Sequence, residues 1–168
     1  DGTVLAQSVR QEDGTYAREY PAGILASHIV GYYSQQYGTS GSEQSYNDTL
    51  TGQENCATWT DVFNSMAGGS TPGNDVRRTL NTTIQKAAQN ALEGYSGAVV
   101  AMDPKTGAIL AMASTPTYAA SDFESILAQG DSSSALLNRA TQSLYAPGST
   151  FKILTLGTAL ENDVATED

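Results

Sequence analysis

The chain has 168 residues and a formal net charge of −10, from 18 acidic and only 8 basic residues. Arg77 and Arg78 are the only adjacent basic pair, whereas a nucleic-acid groove needs clustered Lys and Arg, so nucleic-acid binding is excluded. One cysteine (Cys56) and one histidine (His28) exclude a zinc site built from these two residue types. No apolar run reaches the roughly 18–20 residues of a membrane span. We expect a piece of a longer protein, because the sequence opens at Asp1 without a signal peptide.

The first half of the chain combines short apolar pieces with polar turns. The predicted elements are a strand over 4–6, a turn at 12–14, a strand over 29–33, a loop at 38–41, and helices over 42–50 and 59–66. Ser42 is the predicted N-cap of the first helix. The glycine-rich segment 68–73 is the clearest loop of the chain. It predicts a domain boundary, so that residues 1–72 form one domain and residues 73–168 belong to another.

The second half shows stronger periodicity. A strand is predicted over 76–80, a helix from an Asn81 or Thr82 cap through Glu93, and two apolar strands over 97–102 and 108–113. The helix has an i, i+3, i+4, i+7, i+8 set of apolar residues, which are Ile84, Ala87, Ala88, Ala91 and Leu92. Asp103–Gly107 has the Pro and Gly positions of a hairpin turn. The order of elements predicts an α+β fold, with helices covering the two apolar strands.

The candidate catalytic residues are Ser149 and Lys152. Pro147–Gly148 interrupts the chain and an apolar helix is predicted over 153–160, which puts Ser149 at the helix start and Lys152 one turn later. A serine becomes a nucleophile when a base takes its proton, and a lysine serves when burial lowers its pKa. The apolar surroundings of this helix are expected to contribute that burial. Ser-x-x-Lys alone is a weak motif, because a capping serine followed by a solvated lysine has the same spacing.

A longer sequence match makes this motif more specific. The string Pro-Gly-Ser-Thr-Phe-Lys at 147–152, preceded by Asn-Arg-Ala at 138–140, resembles the active-site motif of the class B penicillin-binding proteins, monofunctional transpeptidases of cell-wall synthesis. Residues 97–114 are similar to the hairpin that opens their catalytic domain, and residues 76–92 to the strand and helix before it. Patterns within residues 2–52 resemble their membrane-proximal pedestal. The resemblance covers nearly the whole chain in one order.

The resemblance implies an α+β chain in which an irregular, β-rich, dimerisation-type pedestal domain (1–72) precedes the N-terminal part of a penicillin-binding/β-lactamase-like transpeptidase domain (73–168). It implies that Ser149 is the nucleophile and Lys152 its base, with no metal and no organic cofactor. Tyr145, four residues before the serine, is a candidate for lining the substrate cleft. Arg139 is expected to anchor the chain before the nucleophile through an ion pair or carbonyl contacts, and His28 to be structural.

The implied reaction is acyl transfer on the terminal D-Ala-D-Ala of peptidoglycan stem peptides, with β-lactams acylating the same serine. The implied location is the extracytoplasmic face of the bacterial membrane, among membrane proteins of wall synthesis or division. Two alternatives remain open at this point. One is a β-lactam sensor, which would not need a pedestal. The other is a non-catalytic interaction fragment.

Two further motifs complete the active site of this family, Ser-x-Asn and Lys-Thr-Gly, both after Ser-x-x-Lys. The chain has Ser45-Tyr46-Asn47 and Lys105-Thr106-Gly107, but both come before Ser149. The second of them is the predicted hairpin turn, so we expect the functional motifs beyond residue 168 and a fragment that is inactive alone. The apolar helix after Ser149 is then expected to be disordered from about residue 140 or covered by a second chain, through a dimer or a swap.

Overall fold

The structure, a computed structural model, describes residues 1–53, 59, 60, 63 and 72–166. It is α+β, as predicted, and its strands form antiparallel pairs. These pairs are β1 (Gln7–Arg10) with β2 (Tyr16–Glu19), β3 (Tyr33–Ser34) with β4 (Gly38–Thr39), and β5 (Gly97–Met102) with β6 (Ile109–Thr115). The α-helices within these ranges are α1 (Ser27–Val30), α2 (Gly41–Ser45), α3 (Asn47–Thr51), α4 (Thr82–Ala91), α5 (Phe123–Ala128), α6 (Arg139–Gln142) and α7 (Lys152–Glu161). Short 3₁₀ turns cover Gly23–Leu25, Ala120–Asp122 and Gly148–Phe151.

Helix α4 and the β5–β6 hairpin form the clearest core. The Asn81 side chain accepts hydrogen bonds from the first backbone N–H groups of α4, which confirms the predicted cap. Ala88 and Leu92 pack against Ala111 and Ala113 of β6. The hairpin turn at 103–107 is also confirmed, and β5 pairs with β6 in the predicted order.

The predicted apolar face of α4 is wrong at two positions. Ala87 and Ala91 are exposed, and the polar side chain of Gln85 is buried in their place. Gln85 Nε2 donates to the carbonyls of Leu25 and Met112, both at 2.9 Å, and its Oε1 accepts from the Met112 N–H at 2.8 Å. A buried amide with these partners is fully satisfied, so it joins the helix to the sheet and to the 3₁₀ turn at 23–25.

The N-terminal region is attached to this core through a second apolar cluster, formed by Ala26, Val30 and Leu80. The chain over 76–80 is not a strand, although its pattern predicts one. It runs beside β6 with isolated contacts: Thr79 Oγ1 donates to the Ile109 carbonyl at 2.7 Å, and the Asn81 N–H donates to the Leu110 carbonyl at 2.9 Å. These isolated bonds do not repeat along residues 76–80, so this segment does not become a third strand of the sheet.

The strand predicted over 29–33 is wrong. Ser27–Val30 forms the one-turn helix α1, which ends at Gly31 with φ +82°. A Cβ atom at Gly31 would come within 2.0 Å of the Ser40 carbonyl oxygen, so glycine is required for both its backbone conformation and its close approach. The β-branched pair Ile29–Val30 favours a strand locally, but packing overrides that preference.

Smaller corrections concern the ends of elements. The first strand begins at Gln7 rather than covering 4–6, while the turn at 12–14 is confirmed. The predicted loop at 38–41 includes β4, and the predicted helix over 42–50 is two helices that meet at Tyr46. Ser42 is not an N-cap: its hydroxyl lies inside α2 and donates to the Ile29 carbonyl at 2.6 Å.

Three features of the sequence lie largely outside the described residues: the helix predicted over 59–66, Cys56, and most of the glycine-rich loop at 68–73. Of this helix, residues 59, 60 and 63 are described and helical. The described residues contain no helix with the length and apolar character of a membrane span.

An ion pair between the buried Glu43 and the partly exposed Arg18 joins helix α2 to strand β2. Glu43 is 5% exposed, and its Oε1 accepts from both Nε and Nη2 of Arg18 at 2.8 Å. The Arg78 guanidinium contacts the Ser42 hydroxyl and lies 4.4 Å from the centre of the Tyr46 ring. Burial and the nearby Glu43 carboxylate raise the pKa of Tyr20 to about 12.

Candidate active site

Ser149 lies in the 3₁₀ turn Gly148–Phe151, which continues directly into α7 at Lys152. Gly148 has φ +54°, a conformation that side chains with a Cβ avoid, and it starts this turn. The Thr150 hydroxyl contacts the Pro147 carbonyl and closes the turn. The Lys152 N–H donates to the Ser149 carbonyl, so serine and lysine lie one turn apart, as the sequence predicts.

Both candidate side chains are exposed to solvent. Within the described residues, neither the Ser149 hydroxyl nor the Lys152 amine has a side-chain hydrogen bond or an ion pair. The expectation that apolar surroundings bury Lys152 is therefore wrong for the described part of the chain, because no element there covers the amine. The described structure thus provides the one-turn spacing of the two residues, but no contact that buries either side chain.

Helix α7 carries its apolar side chains uncovered. Ile153, Leu154 and Leu156 are 75%, 61% and 55% exposed, and the helix has no buried residue among those described. A shallow apolar groove lies between this helix and the chain that follows it, lined by Phe151, Leu154, Thr155, Thr158, Ala159, Asn162 and Val164. The helix extends to Glu161, so the structure differs from the expected disorder after about residue 140.

Tyr145, the candidate cleft residue, belongs to the irregular segment between α6 and the 3₁₀ turn. Its side chain is 61% exposed and forms no hydrogen bond within the described residues. The structure brings Ser149 and Lys152 together on one helix start, but it does not join Tyr145 to them.

Arg139 behaves as predicted. Its Nη1 atom donates to the carbonyl of Ser134 at 2.9 Å and more weakly to that of Leu137 at 3.5 Å. The anchor is thus made of carbonyl contacts, one of the two forms expected for it. These bonds hold together the loop that precedes α6.

The two upstream motif matches have structural roles. In the hairpin turn, the Lys105 N–H and the Thr106 hydroxyl donate to the Asp103 carboxylate at 2.8 and 2.9 Å, and these bonds lower the pKa of Asp103. Ser45 donates to the carbonyl of Gly41 inside the helical region. Lys105 and Ser45 therefore belong to local structure, as expected.

His28 is buried at the contact between the two halves of the chain. Its Nε2 lies 3.3 Å from the Pro116 carbonyl, and its ring meets the edge of the Tyr118 ring at 5.1 Å between centroids. Among the described residues Nδ1 has no hydrogen-bond partner. Burial, with a smaller effect of the Arg139 charge, lowers the pKa of His28. The ring is a packed, neutral side chain, and no group of three metal-ligating side chains surrounds it in the described ranges.

Two family models match the chain in succession. Residues 1–76 match the penicillin binding protein A dimerisation domain, and residues 97–168 match the penicillin binding protein transpeptidase domain. The chain belongs to the class B penicillin-binding proteins, and it contains their dimerisation domain and the start of their transpeptidase domain. The resemblance stated from the sequence is thereby confirmed.

Individual relatives agree with this family. The peptidoglycan D,D-transpeptidase PbpA of Mycolicibacterium smegmatis is 35% identical over 95% of this chain and 36% of its own length. The crystal structure of the D,D-transpeptidase domain of a peptidoglycan glycosyltransferase from Eggerthella lenta is 58% identical, with a TM-score of 0.85 over 99% of this chain and 36% of that one. The penicillin G acyl-enzyme complex of penicillin-binding protein A from M. tuberculosis is 32% identical, with a TM-score of 0.84 over 99% of this chain and 42% of that one. The chain spans about a third of the length of the curated relatives it matches.

Proposed function

We propose that the protein containing this chain is a serine D,D-transpeptidase that cross-links peptidoglycan and is acylated by β-lactams. The observation that carries the proposal is Ser149 at the start of a helix with Lys152 one turn later. The relatives support it: one is named a peptidoglycan D,D-transpeptidase, and another was solved as a penicillin G acyl-enzyme. No metal or organic cofactor takes part in the proposed reaction.

The proposed reaction has two acyl transfers. The Ser149 hydroxyl attacks the carbonyl between the two D-Ala residues of a stem peptide, and Lys152 in its neutral form takes the hydroxyl proton. The C–N bond breaks, the leaving D-Ala amine takes up a proton, and an ester on Ser149 remains. An amine from a neighbouring stem peptide then attacks the ester and loses a proton, and the serine hydroxyl is restored as the cross-link forms.

The helix start supports stabilisation of the oxyanion that forms during each transfer. Ser149 lies in the first turn, where backbone N–H groups have no carbonyl partner four residues earlier within the helix. We assign its N–H as one donor to the oxyanion. Tyr145 is proposed as a residue of the substrate cleft, supported by its position four residues before the serine.

The remaining assignments follow from the family. We propose extracytoplasmic action at the bacterial membrane and association with membrane proteins of wall synthesis or division. The exposed apolar side chains of α7 support the expectation of cover from a second copy or from further chain. The domain boundary at residue 72 stays a prediction, supported by family matches that end at residue 76 and resume at 97.

Covalent labelling tests the function. In the complete gene product that contains this chain, fluorescent penicillin should label the wild type stoichiometrically. Ser149→Ala should abolish labelling because the acylated atom is gone, and Lys152→Ala should slow it by about 10²-fold or more because the proton acceptor is gone. Mass spectrometry of a peptide digest should place the adduct on Ser149.

The matched control is Lys105→Ala, which removes the lysine of the upstream Lys-Thr-Gly match. Acylation should stay within about two-fold of wild type, because that lysine lies on a solvated hairpin turn. Labelling of Ser149→Ala at the wild-type rate would contradict the proposal. We expect the 168-residue chain alone to acylate at least about 10²-fold more slowly than the complete gene product, because the functional Ser-x-Asn and Lys-Thr-Gly motifs are expected outside it and loss of one oxyanion donor costs about 10²–10³-fold.

A further inference from the structure

We propose that Asn138 is a positioning residue for the nucleophile. Its side chain holds the segment that leads to Ser149 against helix α1 and strand β6. The inference rests on the proposed function of Ser149. Asn138 itself touches no reacting atom. It would act through the backbone that carries the serine.

The Asn138 side chain uses both of its polar atoms. Oδ1 accepts from the Ala140 N–H at 3.1 Å and so caps helix α6. Nδ2 donates to the His28 carbonyl at 3.2 Å and lies 3.8 Å from the Met112 sulfur. One side chain therefore joins three places that are far apart in sequence: helix α1 of the N-terminal region, strand β6, and the start of α6.

The carbonyl that Asn138 binds is held in place independently. Helix α1 is a single turn, so its last carbonyls lack intrahelical partners and need bonds from elsewhere. The Tyr118 hydroxyl donates to the Ser27 carbonyl at 3.3 Å, and the His28 ring is within hydrogen-bond distance of the Pro116 carbonyl. Pro116 and Tyr118, which follow β6, thus each contact α1, and Asn138 adds a further bond to it.

A second clamp lies next to the first. Ser114, which is 1% exposed, donates through Oγ to the Leu137 carbonyl at 3.2 Å and accepts from the Arg139 N–H at 3.0 Å. Residues 137–139 are therefore bound to the sheet through Ser114 and to α1 through Asn138. Two attachments to different elements define the position of this backbone, whereas one attachment would allow it to pivot.

Beyond this point the chain is attached by packing of α6 against β5 and β6, and not by long-range hydrogen bonds. From residue 140 to Ser149, no described residue has a hydrogen bond to an element distant in sequence. Asn138 is the last side chain before the serine, among those described, that makes such a bond. In this proposal a shift at 138 moves helix α6, which packs against β5 and β6, and through the following segment it displaces the nucleophile. Misplacement of about 1 Å costs roughly 10²-fold in rate.

The test separates the two bonds of the side chain. Asn138→Asp and Asn138→Ser both keep an oxygen to cap α6. The aspartate has no donor for the His28 carbonyl, and the serine hydroxyl sits on a side chain one atom shorter than the amide. In the complete gene product, penicillin acylation is resolved into a binding step and an acylation step by varying the penicillin concentration. Each variant should reduce the acylation rate constant about ten-fold, with the binding constant changed less than two-fold.

Asn81→Ala is the matched control, since Asn81 caps α4 in the same way and has no bond to α1. It should lower the melting temperature and leave the acylation rate constant within two-fold. Wild-type acylation in either folded Asn138 variant would overturn the inference, as would equal slowing by Asn81→Ala. Ser149→Ala separates the two hypotheses: labelling of that variant would contradict the proposed function, whereas loss of labelling there with unimpaired Asn138 variants would contradict only the positioning role.

Discussion

Helices α4 and α7 have the same length, ten residues, and opposite environments. Helix α4 has few large apolar side chains, yet it packs through Ala88 and Leu92 onto β6 and buries the amide of Gln85. Helix α7 has an isoleucine and three leucines and no buried residue among those described. The more apolar helix is the uncovered one. Helix α4 therefore contributes to one of the buried clusters of the described chain, while the candidate nucleophile belongs to a helix that contributes to none of them.

This difference teaches that folding and chemistry can be altered separately. Substitutions at the α4–β6 contact should unfold the described core without touching the serine. Substitutions at the start of α7 should remove the chemistry without cost to the core. The following predictions test that separation.

The largest effect on stability is expected from Gln85→Ala. The change leaves two carbonyls and one N–H without their buried partner, and it opens a cavity between helix and sheet. We expect a loss of about 3–5 kcal/mol in the free energy of unfolding, measured by urea denaturation. The acceptor-only Gln85→Glu should also destabilise, because it cannot donate to either carbonyl.

Gln89→Ala is the control for this prediction. Gln89 lies one turn further along α4 and donates to the carbonyl of Ile24 at 2.8 Å, but it is only partly buried. Its loss should cost less than about 1 kcal/mol because water replaces the bond. Equal effects of the two substitutions would show that burial does not set the contribution of Gln85.

The sequence predicts the structure best where local signals and tertiary contacts agree. Asn81 before a 3.6-residue periodicity predicts α4, and Pro and Gly at 103–107 predict the hairpin turn. The prediction from sequence fails at α1, where Ile29 and Val30 favour a strand locally. The carbonyls of this helix are bound by Tyr118 and Asn138, which lie 91 and 110 residues further along the chain. The prediction also fails at Gln85 because a glutamine in a helical pattern gives no sign of three buried partners. Such contacts have no local signature.

The candidate site shows the same limit. The helix break at Pro147–Gly148 correctly places Ser149 and Lys152 one turn apart. Lys152 is exposed although apolar residues follow it in the sequence, because neighbours along a helix do not cover a side chain. The contacts of Asn138 could not be predicted either: the Asn-Arg-Ala match includes the residue, but the fold brings His28 and Met112 to it.

A smaller effect is expected from the pH dependence of stability at His28, at the contact between the two halves. Burial lowers the pKa of the folded ring, so below about pH 6.5 the unfolded chain binds the proton first. The free energy of unfolding should therefore fall as the pH drops from 7.5 to 5.5. One proton sets an upper limit of about 1.4 kcal/mol per pH unit.

His28→Phe provides the comparison, because it keeps an aromatic ring against Tyr118 and removes the titrating group. Urea denaturation at several pH values should show a shallower pH dependence for this variant than for the wild type. Parallel curves for the two proteins would mean that other groups account for the whole dependence.

The smallest effects on stability are expected at the candidate site itself. Ser149→Ala and Lys152→Ala remove exposed side chains that form no hydrogen bond or ion pair with the described residues, and alanine favours a helix at least as well. Urea denaturation of the 168-residue chain should give free energies of unfolding within about 0.5 kcal/mol of the unmodified chain. The same two substitutions are expected to abolish or greatly slow acylation in the complete gene product, so one pair of variants measures the effects on stability and on chemistry. A loss of 2 kcal/mol or more, as roughly expected for a buried side chain, would mean that Lys152 or Ser149 is covered in solution. The contrast between α4 and α7 would then hold only for the described residues and not for the chain as it folds.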